Sequence, residues 1–226
     1  MILCSLRVEG PPLGTPENDP MFLRLTPELV IRSPWRPFRP RHGEHTLVLE
    51  TGLAFPPGHP STHLCLDLLK TALASRPPAS VLDVGCGSGI LALAALALGT
   101  PRTVAVDLSI RAVRQTRQNA ARNGLLPRLG LVQGSTGCLR GPFDLILANL
   151  PWGVQLEKIE ELCRLAAPDG ALVLAGFKDT QVDPLLTSYQ ERGWSVSTHR
   201  SRDAWAPEPP PEMSYTWVAW LLVRQP

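Results

Sequence analysis

The sequence predicts an α/β fold, a doubly wound seven-stranded sheet that is mostly parallel, with an antiparallel strand at one edge. Three observations lead there. From residue 80 onward, short apolar runs rich in valine and leucine alternate with helical patterns, the signature of strands joined by helical crossovers. The first of these runs passes straight into a glycine-rich turn and an apolar helix. The last two runs have only a proline-rich stretch between them, residues 207–211, so they are expected to pair antiparallel.

The elements follow in order. Proline is dense over residues 1–45, which opposes long helices there. Leu29–Ile31 and Thr46–Glu50 read as short strands. The leucines Leu64, Leu68, Leu69 and Leu73 fall at helical spacing between Pro60 and Ala74. Val81–Val84 is a buried strand and Gly89–Leu98 an apolar helix. Thr103–Val106 is the next strand. Ser109–Asn123 is a helix with Ser109 as N-cap and Gly124 as its stop. Strands follow at Leu129–Gln133 and Phe143–Ala148, then a helix at Val154–Ala166 and a strand at Ala171–Ala175. A helix at Gln181–Arg192 and strands at Trp194–His199 and Trp217–Val223 complete the chain. The domain division is a proline-rich segment over 1–45 and a doubly wound α/β domain over 46–226.

Bulk composition narrows the function classes. With 226 residues, 44% hydrophobic and 19% charged, the chain has a globular composition, and a net charge of +2 makes no overall demand for a nucleic-acid partner. Five cysteines without a CxxC pair argue against a disulfide framework and a structural zinc site. The longest apolar stretch, Ile90–Leu98, is about half of what a spanning helix needs. The expected setting is cytoplasmic, with no membrane partner and no DNA.

The strongest local signal is Val81–Gly89, VLDVGCGSG. Gly85 and Gly87 allow a sharp turn and close approach to a ligand, and Gly89 allows close packing of strand and helix. Asp107 ends the next strand, 24 positions after Asp83, where a carboxylate can accept from both hydroxyls of a ribose. Asp83 can orient the turn or meet a ligand's amino group. Cys86 within the turn and Leu108 after Asp107 belong to the same candidate ligand site. GxGxG favours a nucleoside with an amino-acid tail over a pyrophosphate. A bare structural turn and a dinucleotide site are the alternatives.

After the strand that ends at Ala148 comes Asn149-Leu150-Pro151-Trp152. The Asn149 side-chain oxygen and the Leu150 carbonyl can both accept from an –NH2 group. Pro151 fixes the turn, and Trp152 offers a ring face to a base or amine. An Asx-type turn is the plain structural alternative.

Taken with Thr51–Phe55 (TGLAF), His59–Thr62 (HPST) and Leu64–Leu66 (LCL), the run VLDVGCGSGILALAALALG resembles the PrmA family of methyltransferases. The resemblance covers roughly residues 27–226, including Trp35, Gly176, Gln181, Tyr189 and Gly193. It implies a Rossmann-like class I domain, S-adenosyl-L-methionine as cofactor, and methylation of amino groups of a ribosomal protein. It places Thr62, Asp83, Gly85, Cys86, Gly87, Gly89, Asp107, Leu108 and Asn149 at the cofactor; Asn149–Trp152 is the candidate acceptor motif, of which the family keeps the asparagine but not usually the proline–aromatic pair.

Two departures bear on the acceptor. The family's AFGTGTHPTT stands here as Ala54–Thr62, AFPPGHPST, one residue shorter but with Thr62 in place. The segment ahead of the catalytic region is also shorter than the family's separate recognition domain. Asn-Leu-Pro-aromatic is more similar to RNA base N-methyltransferases, so protein and RNA acceptors both stand. A small-molecule acceptor and a non-catalytic binding protein are the further readings. His59 and His63 are spaced for two metal ligands on a helix, but no third accompanies them, and no metal is expected. Arg32, Arg36, Arg39 and Arg41, interleaved with Trp35 and Phe38, form a candidate substrate-facing cluster. Arg111, Arg114, Arg117 and Arg122 read as a solvated helix face.

Overall fold

The apolar runs of the sequence become two sheets. The computed structural model describes residues 22–50, 58–204 and 214–225. A small sheet contains β1 (Phe22–Thr26), β2 (Leu29–Arg32) and β3 (His45–Val48), in that order. β1 pairs antiparallel with β2, and β2 pairs parallel with β3, so pairing crosses from the proline-rich segment into the residues after 45. The anticipated strand Leu29–Ile31 is thus β2. β1 had no alternating signal in the sequence and exists through its pairing with β2. The TGLAF segment and the proline-rich turn 207–211 lie outside the described residues.

The large sheet takes β4 (Ser80–Val84), β5 (Arg102–Asp107), β6 (Leu129–Gln133), β7 (Phe143–Asn149), β8 (Ala166–Lys178), β9 (Trp194–Asp203) and β10 (Thr216–Arg224) in the order β6-β5-β4-β7-β8-β10-β9. β4 to β8 pair in parallel, and β10 runs antiparallel to both β8 and β9. The antiparallel strand therefore sits within the terminal pair, slotted between β8 and β9. β8 begins at Ala166, ahead of the expected Ala171, because Ala166 pairs with Phe143 across an irregularity in register. The intervening Pro168-Asp169-Gly170 reads locally as a turn.

Among the described residues, five α-helices cover both faces. α1 (Pro60–Ser75) starts on Pro60, with the His59 ring accepting from the Ser61 N–H as N-cap. α2 (Ile90–Ala97) is buried almost throughout, as its unbroken alanine–leucine text requires. α3 (Ile110–Arg122) begins after the Ser109 cap. Buried side chains of α1, α2 and Ala120 of α3 form one core with the small sheet. α4 (Trp152–Leu165) and α5 (Val182–Gln190) supply Ile159, Leu162, Leu165, Leu185 and Tyr189 to the core on the other face. No helix among the described residues is long and apolar enough to cross a membrane.

Two asparagines of α3 fasten the small sheet to the large one. Asn123 Oδ1 accepts from the Val48 N–H while its Nδ2 donates to the Val48 carbonyl. Asn119 does the same with Glu50 and also donates to the Ser88 carbonyl in the glycine turn. Each buried amide is satisfied by extending the backbone pairing of a strand end, which places the end of the small sheet against the glycine turn.

Candidate active site

The strand order reverses its direction of growth at β4: β5 and β6 lie to one side, β7 and β8 to the other. In open α/β sheets ligands sit at such a switch point, beyond the carboxyl ends of the strands. The turns after β4, β5, β6 and β7 converge there around a cavity of about 230 Å³, whose wall includes Gly85, Asp107, Leu108, Thr136, Pro151 and Lys158.

The glycine turn is held by its neighbours. Gly85 and Cys86 both donate backbone N–H groups to the Val106 carbonyl, at 2.9 and 3.1 Å. Gly85 has φ +70°, and a Cβ there would lie 2.5 Å from Leu150 Cδ2. The absent side chain is what lets the β4 turn meet the β7 turn. Thr116 of α3 fills the space beside Gly89 and donates its hydroxyl to the Gly87 carbonyl at 3.0 Å. The Cys86 side chain packs with Ala92 and Ala105 away from the cavity wall, and burial pushes its thiol well above the usual range.

Asp107 stands where the sequence placed it. Its Oδ2 accepts from the Gly87 N–H at 3.0 Å and its Oδ1 from the Ser109 N–H at 2.8 Å. An ionised carboxylate has roughly four acceptor positions, so both oxygens keep capacity for a ligand's hydroxyls. Leu108 is 74% exposed and forms an apolar rim. Asp83 is 1% exposed, and its Oδ2 accepts from the Ala92 N–H in the first turn of α2. Burial, opposed by that hydrogen bond and assisted by the charge of Asp107, raises its pKa to about 7.

Asn149 closes β7. Its amide nitrogen lies 3.5 Å from Thr62 Oγ1, and its Oδ1 is buried with no hydrogen-bond partner among the described residues. Leu150 is tied by its N–H to the Ala175 carbonyl, and fully buried Gln155 donates to the Ala148 and Ala175 carbonyls, so the ends of β7 and β8 are rigidly framed. Pro151 is the N-cap residue of α4, which begins at Trp152 rather than at Val154. Trp152 packs partly into the core and donates its Nε1–H to the Gln181 carbonyl. Its ring is thus committed to joining α4 to the turn after β8.

Sequence reasoning passed over the cluster that Lys178 and Trp217 form beside the start of α1. Lys178, 7% exposed at the end of β8, donates to the Ser214 carbonyl at 2.8 Å and holds its ammonium 4.3 Å from the Trp217 ring centroid. His59 meets the same ring edge-on, with centroids 4.5 Å apart. Burial, then the charges of Lys178 and His63, lower the pKa of His59. Gly134, Thr136, Val154 and Lys158 of the cavity were also not singled out. Their one available signal was position, after β6 or in the first turns of α4. Among the described residues no three His, Cys, Asp or Glu side chains gather as a metal site.

These features have relatives. Residues 19–207 match the family model described as ribosomal protein L11 methyltransferase (PrmA). The ribosomal protein L11 methyltransferase of Syntrophotalea carbinolica is 34% identical over 185 residues, covering 81% of this chain and 60% of the relative. That of Sorangium cellulosum is 39% identical over 167 residues, covering 73% and 53%. The chain thus spans little more than half the length of these relatives. A crystal structure of ribosomal protein L11 methylase from Lactobacillus delbrueckii subsp. bulgaricus superposes with a TM-score of 0.78 at 27% identity, over 91% of this chain and 99% of that one. The N-methyltransferase NodS from Bradyrhizobium japonicum WM9, in complex with S-adenosyl-L-homocysteine, shares the fold, with a TM-score of 0.57 at 17% identity over 71% of this chain and 85% of that one. The chain belongs to the ribosomal protein L11 methyltransferase (PrmA) family.

Proposed function

We propose that this chain is an S-adenosyl-L-methionine-dependent N-methyltransferase acting on an amino group of a protein, a ribosomal protein by likeness to its relatives' names, in the cytoplasm. The observation that carries the reading is the buried Asn149 Oδ1 at the switch point, which has no hydrogen-bond partner among the described residues. An amide oxygen left so costs about 1–3 kcal/mol. An N–H donor arriving from an acceptor amine would relieve that cost and fix the direction of its lone pair. The free thiols Cys65, Cys86, Cys138 and Cys163 support a reducing compartment.

The residues present fit the cofactor. The apolar cavity between Leu108, Pro151 and Val154 suits a purine. Asp107 suits the ribose hydroxyls, and the turn over Gly85–Gly89 suits an amino-acid tail. When bound, S-adenosylmethionine supplies a methyl group activated by a sulfonium. The protein's task is then alignment. Asn149 holds the amine while Gln155 and Gly176 keep its turn in place. His59 accepts the Ser61 N–H at Nδ1, which occupies the atom that a base would need.

The expected result is that label from methyl-labelled S-adenosylmethionine, supplied to a lysate of cells lacking this protein, enters a protease-sensitive fraction. Label destroyed by ribonuclease instead would replace protein with RNA as the acceptor. Label in neither fraction would leave no support for a macromolecular acceptor.

A pH dependence follows from Asp83. Its carboxyl is neutral below about pH 7 and ionised above. An ammonium on the cofactor's tail favours the ionised form, so binding should strengthen as pH rises. Affinity for S-adenosylhomocysteine should climb about tenfold between roughly pH 6 and 8, and Asp83→Asn should flatten the profile. A flat profile in the unaltered protein would detach Asp83 from the ligand's tail.

A further inference from the structure

β1, the segment over residues 36–41 and the first turn of α1 enclose a groove of about 590 Å³. Among the described residues that line it, four are arginines, Arg24, Arg36, Arg39 and Arg41, and none is acidic. The groove is held in shape from behind. Buried Glu44 forms an ion pair with Arg24 and accepts the Arg41 N–H at 2.9 Å. Arg32 donates to the carbonyls of Ser33 and Arg36, at 2.9 and 3.0 Å, and so fixes the turn that leads into the groove. Glu44 balances Arg24. Arg39 and Arg41 are exposed, and their guanidinium groups have no carboxylate partner among the described residues.

The groove reaches the first turn of α1, which also carries Thr62. His63 lines it and directly follows Thr62, whose hydroxyl is 3.5 Å from the Asn149 amide. Arg202 of β9 stands close enough on that side to help lower the proton affinity of His63. A molecule lying in the groove therefore meets positive charge and has at one end the turn of α1 that carries Thr62, the neighbour of Asn149.

The floor narrows the chemistry of the occupant. Phe22 and Phe38 meet edge to face, with centroids 5.1 Å apart, and the Arg36 guanidinium lies over the Phe22 ring at 5.5 Å. The rings are packed into the floor and not splayed as a platform for stacked bases, the arrangement single-stranded nucleic acid uses. Their edges, with Leu23 and Pro37, suit the aliphatic parts of an extended polypeptide, while the arginine rim suits carboxylates.

We propose that this groove docks an acidic stretch of the acceptor polypeptide, lying beside the amine that is methylated. The inference rests on the protein-amine reading above and adds the charge of the sequence around the target. It accounts for the arginine cluster that the cofactor site leaves unused.

The test compares two short peptides, each with one lysine, flanked by glutamates in one and by glutamines in the other, with an oligouridylate as third probe. Each is titrated against the unaltered protein and against Arg39→Glu/Arg41→Glu, both exposed positions outside the cofactor site. At low salt the glutamate peptide should bind at least about tenfold more tightly than the glutamine peptide, and the double variant should erase the difference. The variant should keep its affinity for S-adenosylhomocysteine, which separates loss of the groove from loss of the fold. Equal binding of the two peptides, or a preference that survives charge reversal, overturns the proposal. Tighter binding of the oligouridylate through the same arginines overturns it in favour of nucleic acid. If the glutamate preference holds while transferred label proves ribonuclease-sensitive, the protein-amine reading fails, and with it the groove's assignment to the acceptor.

Discussion

Asp107→Ala is expected to weaken binding of S-adenosylhomocysteine by at least about tenfold, since the proposed ribose placement would lose two charge-assisted hydrogen bonds together. The structure adds a second cause. The carboxylate also accepts the Gly87 and Ser109 N–H groups, so its removal loosens the glycine turn and the start of α3 at once. Asp107→Asn separates the two causes, because its amide oxygen can still accept one N–H but carries no charge. Calorimetric titration of the three proteins gives the ranking. Aspartate should bind most tightly, asparagine less so and alanine least. Unchanged affinity in Asp107→Ala would sink the placement of the ribose, and thermal unfolding of the same samples would show how much of any loss belongs to the turn.

Gly176→Ala should have the largest effect on stability of any single methyl addition in this region. Gly176 has φ +98°, and a Cβ there would sit 2.3 Å from the Leu150 carbonyl oxygen and 2.8 Å from its carbon. Both are backbone atoms, and the Leu150 N–H is itself tied to Ala175, so nothing flexible can yield. The unfavourable φ costs about 1–3 kcal/mol and the overlap a similar amount. For a chain of this size, a few kcal/mol corresponds to a fall in melting temperature on the order of 10 °C. Gly124→Ala is the control. It too has a positive φ, +67°, but a Cβ there meets nothing within 4 Å, so only the conformational cost remains. Equal destabilisation by the two substitutions would show that the contact with Leu150 carries no weight. Where Gly176→Ala still folds, its methyl transfer should fall further than its cofactor affinity, because Leu150 and Asn149 move while Asp107 does not.

The elements legible in the sequence are those whose signal is local. β6 coincides with its expected span, and the Ser109 cap and the Gly124 stop of α3 stand where they were placed. Each depends on a few adjacent residues: a cap, a glycine, an apolar run. Asp107 and Asn149 were legible for a related reason, since a polar residue at the end of an apolar strand is marked by the strand itself. β1 was not legible, because Phe22–Thr26 carries no strong pattern of its own and is fixed by pairing with β2. One contact of Trp152 was not legible locally. Its indole N–H reaches Gln181, 29 positions along the chain, and only packing reveals that.

The sequence by itself determined the alternation of strands and helices, the glycine turn, the two polar strand ends and the family to which they belong. These follow from the spacing of apolar residues and from where glycine and proline permit the backbone to turn. The tertiary structure alone decided which distant residues cluster. Lys178, Trp217 and His59 come from a strand end, another strand and a helix cap, and they meet because β10 slots in beside β8 while α1 packs over both. The basic groove likewise joins β1 to His63 of α1. A side chain's neighbours across a sheet are set by strand order and register, and neither is written in any one stretch of residues.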